Sequence, residues 1–477
     1  MADRLPKQSE DFPGWYVEVV KRAELAEHGP ARGSMIIRPY GFAIWENIQR
    51  ALDDRFKATG HENFYFPLLI PMHLLAAEAQ HVEGFKLQAA VVTQGGGETL
   101  DEPLVIRPTS EAVIWPTYAR WIQSYRDLPL LYNQWCNVLR WEMRTRLFLR
   151  TSEFLWQEGH TAHATREEAW DEALRMLEVY REVAEDVLGI PVIPGRKSES
   201  ERFPGADETL PIEAMMRDAK ALQCGTSHFL GQNFAKAYDV KFLNPEGRQE
   251  YAWGTSWGFT TRMIGGTIMA HGDDKGLRLP PAIAPIQVVI VPIYRSDEER
   301  SAVLDVAGKL RDDLAGNGVR AKLDDRDQHR PGYKFGEWEL KGVPVRVELG
   351  PRDVEAGQVV LVDRVTGDKR SVSLAEATSG MAGTLDEVQL ALFEDARAYR
   401  DENTHQIDDF DSFAAGVEEK GGFWVGPWCG SPECEEKVSA ATKASLRVLP
   451  LEREDPRGPC IVCGKPGTER AIWARAY

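Results

Sequence analysis

One short stretch of the chain, residues 137–160, concentrates side chains that could do chemistry. At two-residue spacing it carries Arg140, Glu142, Phe154, Trp156 and Glu158. Apolar neighbours before the arginine and around the phenylalanine favour two half-buried strands, which the loop 143–149 would join as a hairpin. Because alternate residues of a strand share one face, such a hairpin would present a guanidinium, two carboxylates and two aromatic rings together.

This combination of groups suits a nucleotide. A guanidinium fork binds phosphate, a carboxylate accepts a hydrogen bond from an amine, and an aromatic ring offers a stacking surface. An exposed hairpin with ordinary ion pairs would have the same composition. The residues of this stretch alone leave the two interpretations evenly balanced.

The composition limits the classes of protein to which the chain can belong. With 477 residues, 43% of them apolar, the chain predicts more than one globular domain. Its formal net charge of −17 argues against general binding of nucleic acid, although a local basic patch could bind a structured RNA. The sequence contains no run of about 18 apolar residues and no signal-peptide core at its start. We therefore expect a cytoplasmic protein without a membrane partner.

The pattern Arg140-x-Glu142, a loop and then Arg150-x-x-x-Phe154 resembles motif 2 of the class II aminoacyl-tRNA synthetases. The longer string Arg-Thr-Ser-Glu-Phe-Leu-Trp-Gln-Glu-Gly-His at 150–160 is similar to the prolyl-tRNA synthetase family in particular. This resemblance covers almost the whole chain. It implies an α+β multidomain fold with a class II antiparallel-sheet catalytic domain, an α/β anticodon-binding domain and a small C-terminal zinc-binding α/β domain. We expect these domains to span residues 1–278, 286–400 and 401–477.

A helix and a strand near the N-terminus resemble motif 1 of the same class. Residues 40–59 place apolar side chains at four-residue spacing, which predicts one buried helical face, and Gly60 suits the end of that helix. A strand is predicted over 63–71, and an earlier helix over 15–26. In the family, motif 1 builds the dimer interface, so the resemblance implies a homodimer.

The string Arg107-Pro-Thr109-Ser110-Glu111 precedes a predicted helix over 111–121. Thr109 or Ser110 could cap that helix, since short polar side chains accept hydrogen bonds from the free amides of a helix N-terminus. The string also matches the family, in which its Thr and Glu contact the amino acid. Proline is a protonated secondary amine with two N–H donors, and Glu111 is a suitable acceptor for them.

Two further strings extend the resemblance. The first contains Gln223, Thr226 and His228; the family has its Gln and Thr near ATP and its His near proline. The second is a glycine-bearing strand that leads into a helix, as in motif 3, with Thr260 and Arg262 where the two meet. A helix N-terminus favours anions. The resemblance implies that Arg262 binds the γ-phosphate of ATP.

A proline-rich segment, 279–285, predicts a rigid linker. Strands and helices alternate after it, which predicts an α/β domain on a mainly parallel sheet. This part resembles the anticodon-binding domain of the family. Glu339, Lys341 and Arg346 are its candidates for contacts with unstacked bases and phosphates, while a solvated helix face explains each of them almost as well.

Four of the six cysteines form two pairs near the C-terminus. They are Cys429, Cys434, Cys460 and Cys463. This spacing predicts a structural Zn²⁺ site with no open coordination position, and four buried free thiols are the weaker alternative. Cys224 has no partner nearby and is interpreted as a small packing residue. In the family the terminal residue, here Tyr477, reaches back toward the active site; a frayed end is equally compatible with the sequence.

The resemblance implies a reaction in two steps. Proline reacts with ATP to form prolyl-adenylate, and the prolyl group then passes to the 3′ end of tRNA(Pro). Arg140 would bridge the proline carboxylate and the α-phosphate. Arg150 and Arg262 would hold the outer phosphates, and Mg²⁺ would neutralise the remaining charge. The ATP-binding residues would be Arg140, Glu142, Arg150, Thr151, Phe154, Gln223, Thr226, Thr260 and Arg262. The residues around proline would be Thr109, Glu111, Arg140, Trp156, Glu158 and His228.

Two alternatives remain open. A related synthetase such as the threonyl enzyme grips its amino acid with a zinc held by one Cys and two His, and no such trio stands between Thr109 and Arg262. A catalytically silent tRNA-binding paralogue would be expected to lose the arginines of motifs 2 and 3, which are present here.

Fewer than a hundred residues separate Glu158 from Ser256, so no large editing domain is predicted.

Overall fold

The structure, a computed structural model, describes residues 5–75 and 89–477. Up to residue 271, its strands are β1 Ala26–His28, β2 Met35–Ile37, β3 Glu62–Asn63, β4 Leu69–Pro71, β5 Val91–Gly95, β6 Glu98–Ile106, β7 Leu130–Leu139, β8 Glu153–His163, β9 Val192–Pro194, β10 Glu208–Met215, β11 Ala221–Gly231, β12 Lys241–Leu243, β13 Gln249–Tyr251 and β14 Trp253–Thr260. The α-helices of this part include α1 Phe12–Arg22, α2 Pro39–Ala58, α3 Glu111–Trp121, α4 Arg166–Glu182, α5 Asn233–Ala237 and α6 Arg262–His271.

A sheet of seven strands organises this part of the molecule. Its order is β3-β7-β8-β14-β11-β10-β9, and every neighbouring pair is antiparallel except β3 with β7. Helix α4 covers one face, where the Gln157 amide donates a hydrogen bond to the Tyr180 hydroxyl. The other face of the central strands remains open as a cavity. The antiparallel sheet expected for this part of the chain is therefore confirmed.

The first helix differs from its predicted bounds, 15–26. It begins at Phe12, because the Asp11 carboxylate accepts a hydrogen bond from the Gly14 amide at 2.9 Å and so caps the helix. It also ends earlier than predicted. Glu24 takes a left-handed conformation with φ of 60°, which turns the chain into β1.

The strand predicted over 63–71 is two strands in different sheets. Strand β3 pairs with β7 in the large sheet, whereas β4 joins a three-stranded sheet of order β4-β6-β5. Pro67 lies between them and has no amide to donate to a ladder. The Phe66 amide donates to the side chain of Gln134 on β7 and not to a backbone carbonyl of that strand. The predicted α2 and α3 agree with the structure to within one residue.

A second sheet follows the linker 279–285. Its strands are β15 Val288–Pro292, β16 Ala321–Leu323, β17 Val345–Leu349, β18 Gln358–Asp363 and β19 Lys369–Ser373. The accompanying helices are α7 Asp297–Gly316, α8 Pro331–Leu340, α9 Pro351–Ala356, α10 Leu374–Ser379 and α11 Met381–Glu402. The α/β pattern predicted for this part is confirmed.

The expectation of a mainly parallel second sheet is wrong. The order is β16-β15-β17-β18-β19, and only the pairs of β15 with β16 and with β17 are parallel. Strands β17, β18 and β19 are antiparallel neighbours. The connections explain the difference, because a parallel crossover needs about a dozen residues or more and only the short helix α9 separates β17 from β18.

The last part of the chain carries a third sheet. Its elements are β20 Thr404–Gln406, α12 Phe410–Glu419, β21 Phe423–Trp428, α13 Pro432–Thr442, β22 Ser445–Val448 and β23 Glu469–Ala474. The strand order is β20-β21-β23-β22. In residues 5–75 and 89–477, no helix is both long enough and apolar enough to cross a membrane.

Candidate active site

All the side chains predicted for amino-acid and nucleotide binding line one cavity. It has a volume of about 610 Å³ and lies on the open face of the large sheet. The predicted residues that line it are Thr109, Glu111, Arg140, Glu142, Arg150, Thr151, Phe154, Trp156, Glu158, Gln223, Thr226, His228, Thr260 and Arg262. The structure thus brings together residues that are more than 150 positions apart in the sequence.

Strand alternation explains why so many of these residues face the same way. On β8, Trp156 and Glu158 point into the cavity, whereas Gln157 between them points toward α4. The adjacent strand β14 pairs Thr260 with Trp156 and Gly258 with Glu158. Gly258 has no side chain, so the floor of the cavity stays open. A Cβ there would lie 3.4 Å from the Trp156 ring.

The structure corrects the geometry expected for Arg140 and Glu142. Strand β7 ends at Leu139, so both residues lie in the following loop and do not share a strand face. The loop spans 140–152, longer than the predicted 143–149. Glu142 folds it back on itself, because its carboxylate accepts from the Arg144 amide at 3.0 Å and pairs with the Arg150 guanidinium at 3.1 Å.

Arg140 is held so that its charge faces the cavity. Its Nε donates to the Pro108 carbonyl at 3.0 Å, and its guanidinium carbon lies 5.2 Å from the Trp156 ring centre and 5.5 Å from that of Phe154. Its two terminal nitrogens have no hydrogen-bond partner among the described residues. Burial lowers the pKa of Arg140, while the Glu111 carboxylate raises it. A planar group with two free donors can bind an anion in bidentate fashion.

Arg262 stands at the N-terminus of α6. Its Nε donates to the Leu149 carbonyl at 3.2 Å, and its Nη1 to the Gln223 carbonyl at 3.4 Å. Burial lowers its pKa, and so do the positive charges of Arg140 and Arg150. Three guanidinium groups and a helix N-terminus thus face one cavity, and an anion between them would relieve their mutual repulsion.

A buried acid, Glu158, forms the opposite side of the cavity. Its carboxylate accepts hydrogen bonds from the Ser110 amide at 3.2 Å, from Gln134 Nε2 at 2.8 Å and from His160 Nε2 at 3.0 Å. Burial raises the pKa of Glu158, but these hydrogen bonds outweigh it and hold that pKa below its ordinary value. Burial alone would lower the pKa of His160, and the same hydrogen bond together with the Glu111 charge raises it. Each of the two groups therefore favours the charged form of the other.

The predicted capping role of Thr109 or Ser110 is wrong. Ser110 occupies the N-cap position of α3 without a side-chain cap, because its hydroxyl donates to Glu158. The Thr109 hydroxyl donates to Glu111, at the start of the same helix. Both hydroxyls therefore orient carboxylates of the cavity, and Glu111 keeps further lone pairs for a ligand.

His228 is an uncharged member of the cavity wall. Burial lowers its pKa to about 3, with smaller contributions from the positive charges of Arg140 and His160. Its Nδ1 lies 3.0 Å from the Thr209 hydroxyl, and its ring lies 4.6 Å from that of Phe203. At neutral pH the imidazole can therefore act as a hydrogen-bond partner without adding charge.

Several residues of the cavity received no role in sequence analysis. Several of them lie on the loop between β9 and β10, in which no site residue was predicted. The unassigned lining residues include His160, Lys197, Glu201, Arg202, Phe203, Thr209, Ser256 and Trp257. His160 and Ser256 could have been predicted from the sequence. His160 continues the two-residue spacing of Trp156 and Glu158, and Ser256 continues that of Thr260 and Gly258. For the loop 195–207 there is no such periodicity.

The candidates in the second domain are divided between two places. Glu339 and Arg346 line a separate cavity of about 200 Å³, together with Arg364 and Lys369. Lys341 lies elsewhere, since its ammonium pairs with the Glu24 carboxylate at 2.7 Å. It thereby links α8 to the segment that follows α1.

The four C-terminal cysteines form a compact cluster. All their sulfur atoms lie within 4.8 Å of one another, with distances of 3.7 Å for Cys429–Cys434 and 3.6 Å for Cys429–Cys463. A tetrahedral zinc ion with bonds of 2.3 Å would hold four sulfurs about 3.8 Å apart. The thiols are free cysteines. Their number, type and spacing therefore fit a structural zinc ion.

The C-terminus is anchored and not frayed. The Tyr477 hydroxyl donates to the Asp218 carboxylate at 2.6 Å, and its amide donates to the Ala221 carbonyl at 3.2 Å. The guanidinium carbon of Arg146 lies 5.5 Å from the centre of the tyrosine ring. Tyr477 therefore contacts the loop 140–152 that carries the arginines of the site.

Family models match three consecutive parts of the chain. Residues 92–271 match the class II core domain of tRNA synthetases for G, H, P, S and T. Residues 287–382 match an anticodon-binding domain, and residues 410–477 match the C-terminal domain of prolyl-tRNA synthetase.

Full-length relatives carry one common name. A proline–tRNA ligase of Rubrobacter xylanophilus is 56% identical over 100% of this chain and 99% of the relative. One of Amoebophilus asiaticus is 52% identical over the full length of both chains. The crystal structure of prolyl-tRNA synthetase from Cryptosporidium parvum, complexed with halofuginone and AMPPNP, is 39% identical, with a TM-score of 0.95 over 99% of each chain. The cavity with Arg140, Arg150 and Arg262, the cysteine cluster and these full-length similarities together mean that the chain belongs to the prolyl-tRNA synthetase family of class II synthetases.

Proposed function

We propose that this protein is a proline–tRNA ligase. It activates L-proline with ATP to form prolyl-adenylate and diphosphate, and then transfers proline to the 3′ end of tRNA(Pro). The observation that carries this proposal is the position of Arg140. Its free guanidinium nitrogens face a cavity that has buried carboxylates on one side and two further arginines on the other.

The acidic side of the cavity suits the amino acid. The ammonium of proline has two N–H donors, and Glu111, oriented by Thr109, can accept from it. Trp156 offers an apolar surface for the pyrrolidine ring, and the neutral His228 adds a polar group without repelling the ammonium. Glu158 already accepts several hydrogen bonds, so we assign it to fixing His160 and to supplying negative charge.

The basic side of the cavity suits ATP. Phe154 can stack on adenine, and the Glu142 carboxylate can accept from its amine. Arg150 and Arg262 would hold the outer phosphates, with Mg²⁺ neutralising the remaining charge. The residues that complete this side are Thr151, Gln223, Thr226 and Thr260.

Two displacement reactions account for the chemistry. In the first, a carboxylate oxygen of proline attacks the α-phosphorus, and the bond to diphosphate breaks. Negative charge grows where Arg140 lies, so positioning and charge stabilisation carry the rate. In the second, a terminal ribose hydroxyl of tRNA attacks the acyl carbon and AMP leaves. Neither step needs a protein nucleophile, and burial raises the pKa of the nearby Cys136 and Cys224 thiols.

Exchange of labelled diphosphate into ATP tests this function. The assay is run without tRNA and with each of the twenty amino acids in turn. We expect exchange with proline, accompanied at most by weak exchange with alanine and cysteine, which resemble it in size. Exchange driven by threonine would support the threonyl alternative. Exchange with no amino acid would support the silent paralogue and contradict the proposal.

We propose the cavity of Glu339 and Arg346 as the anticodon contact. A carboxylate can accept from a base edge, and a guanidinium can bind a base or a phosphate. Glu339→Gln should lower kcat/KM for tRNA about tenfold in aminoacylation while leaving diphosphate exchange unchanged. Glu355→Gln, an exposed change in the same domain, serves as the control. An unchanged kcat/KM in the Glu339 variant would contradict the assignment.

Because Lys341 is paired with Glu24, we assign it to holding the domains together and leave it out of this contact.

We further propose three functional domains, 1–278, 286–400 and 401–477, a cytoplasmic location and a structural zinc ion on the cysteine cluster. The zinc would tie α13 to the segment around Cys460. Free thiols in all six cysteines suit a reducing compartment.

We also propose a homodimer built through motif 1. This segment exposes Phe42, Tyr65 and Leu69, with 70% of the tyrosine accessible, and large exposed apolar groups mark interaction surfaces. Sedimentation should give a mass twice that of one chain, which is 53.6 kDa. In Tyr65→Glu the measured mass should fall to that of a single chain. A wild-type protein that sediments as a single chain would contradict this arrangement.

A further inference from the structure

The loop between β9 and β10, residues 195–207, has two faces with different neighbours. We call it the wall loop. Its inner face forms part of the active-site cavity, to which it contributes Lys197, Glu201, Arg202, Phe203 and Pro204. Its outer face packs against the C-terminal part of the chain, which carries the cysteine cluster. The wall loop therefore contacts both the C-terminal part of the chain and the cavity.

Backbone and ionic contacts join the wall loop to the segment around β22. The Arg196 amide donates to the Leu449 carbonyl at 2.8 Å, and the Leu449 amide donates back at 2.9 Å. The Arg196 side chain donates to the Pro450 carbonyl at 3.0 Å and pairs with the Glu469 carboxylate. Gly195 allows this close approach, because a Cβ there would lie 2.2 Å from the Leu449 oxygen.

A buried ionic group strengthens the same contact. The Lys197 ammonium lies 3.0 Å from the Glu213 carboxylate and donates to the Arg447 carbonyl at 3.1 Å. The Arg447 guanidinium pairs with the same carboxylate at 2.8 Å. Lys197 and Glu213 are almost fully buried, so removal of Glu213 would leave Lys197 and Arg447 without this counter-charge.

Glu435 links the wall loop directly to the cysteine cluster. It follows Cys434 in the first turn of α13, and its Oε2 accepts a hydrogen bond from the Ser198 hydroxyl at 3.0 Å and another from Ser200. The preceding residue, Cys434, belongs to the cluster, and its sulfur lies 3.7 Å from that of Cys429. One carboxylate thus holds two hydroxyls of the wall loop.

The inner face of the wall loop contacts residues on the amino-acid side of the cavity. The Phe203 ring packs against His228, and the Phe203 amide donates to the Thr209 hydroxyl at 2.9 Å. The same hydroxyl lies 3.0 Å from His228 Nδ1. A shift of the wall loop would therefore move the aromatic wall beside His228, while the arginine side of the cavity would stay in place.

We propose that the C-terminal cysteine domain positions the amino-acid wall of the active site, with Glu435 as the positioning residue that acts through Ser198 and Ser200. This inference rests on the proposed function, since it concerns the pocket assigned there to proline. The C-terminal domain then contributes to affinity for the amino acid without contacting it.

Kinetic constants of the full-length protein test the proposal. In the double variant Ser198→Ala/Ser200→Ala, the KM for proline in diphosphate exchange should rise about tenfold, because two hydrogen bonds to a charged acceptor are lost. The kcat and the KM for ATP should stay within about twofold of wild type, since the arginines are untouched. Glu435→Ala should reproduce this pattern, and Glu435→Gln, which keeps an oxygen acceptor, should restore the KM.

Matched controls separate positioning from a general loss of structure. Glu436→Ala removes the same charge from the same turn of α13 but from an exposed side chain, and should leave every constant unchanged. The double serine variant leaves all four cysteines intact, so its zinc content should equal that of wild type. Hydrogen exchange of the amides in 195–207 should become faster in the double variant and in Glu435→Ala, and stay unchanged in Glu436→Ala.

The outcomes also distinguish failure of this proposal from failure of the function. If wild type shows no exchange with proline, the proposed function fails. If wild type is active but the double serine variant keeps its KM for proline, the positioning role alone is overturned. A fall in kcat with an unchanged KM, or equal increases in both KM values, would overturn it as well.

Discussion

Arg140→Ala is expected to abolish proline-dependent exchange of diphosphate into ATP and to leave the fold intact. The guanidinium is anchored by one hydrogen bond to Pro108 and faces the cavity with its two remaining nitrogens. Lys197 and Arg202 also line this cavity, but Lys197 pairs with Glu213 and Arg202 pairs with Glu208. Loss of a preorganised charge where negative charge develops should cost about a thousandfold or more in rate.

The comparison variants for this prediction lie in the same loop and at the same position. Arg140→Lys keeps the positive charge but loses the planar fork, so it should also be severely impaired. Arg144→Ala removes an exposed arginine of the loop 140–152 and should retain full exchange. Circular dichroism and thermal unfolding of all three variants should match wild type. Substantial exchange by Arg140→Ala would refute the role assigned to this residue.

Loss of a cysteine of the cluster is expected to have the largest effect on stability. In Cys460→Ser, the single zinc ion expected per chain should be lost. The region after residue 401 should then unfold at a lower temperature than in wild type. A four-sulfur site contributes its binding free energy to folding, and structural zinc in small peptides binds with about 10–16 kcal/mol at pH 7. Metal analysis and calorimetry measure the two effects. A strong chelator should lower the unfolding temperature of wild type in the same way.

Cys136→Ser provides the matching control, because it removes a thiol that lies outside the cluster. That variant should keep its zinc and the unfolding temperature of the C-terminal part. A wild-type protein that is purified without zinc, and whose unfolding does not respond to chelators, would show that the four thiols stabilise the domain without a metal.

Local patterns predicted the elements that are stabilised locally. Helix α2 deviates from its predicted bounds by one residue, because its apolar spacing lies within the element itself. Helix α3 has the predicted bounds although the cap that the sequence suggested for it is not formed. The site residues were predicted as a set because they occur in strings that resemble a family. Their convergence in one cavity follows from the register of β8 with β14 and of β11 with β14.

The errors have a different physical origin. Arg140 leaves the strand because Glu142 pairs with Arg150, and an ion pair within a loop leaves no periodic signal in sequence. The hydroxyl of Ser110 suits a helix cap and instead binds a buried carboxylate. In both cases a side-chain contact decided between two roles that the sequence permits. The contact of Lys341 with RNA stays a prediction, and in the structure its ammonium pairs with Glu24, more than 300 residues away.

The anchored C-terminus has a consequence for biosynthesis. Tyr477 contacts Arg146 in the loop 140–152, and residues 435–469 hold the wall loop. Because both loops line the cavity, we expect the active site to be complete only after the segment 435–477 has been synthesised and has folded against them. A peptide fused directly after Tyr477 would have to pass the contact with Arg146.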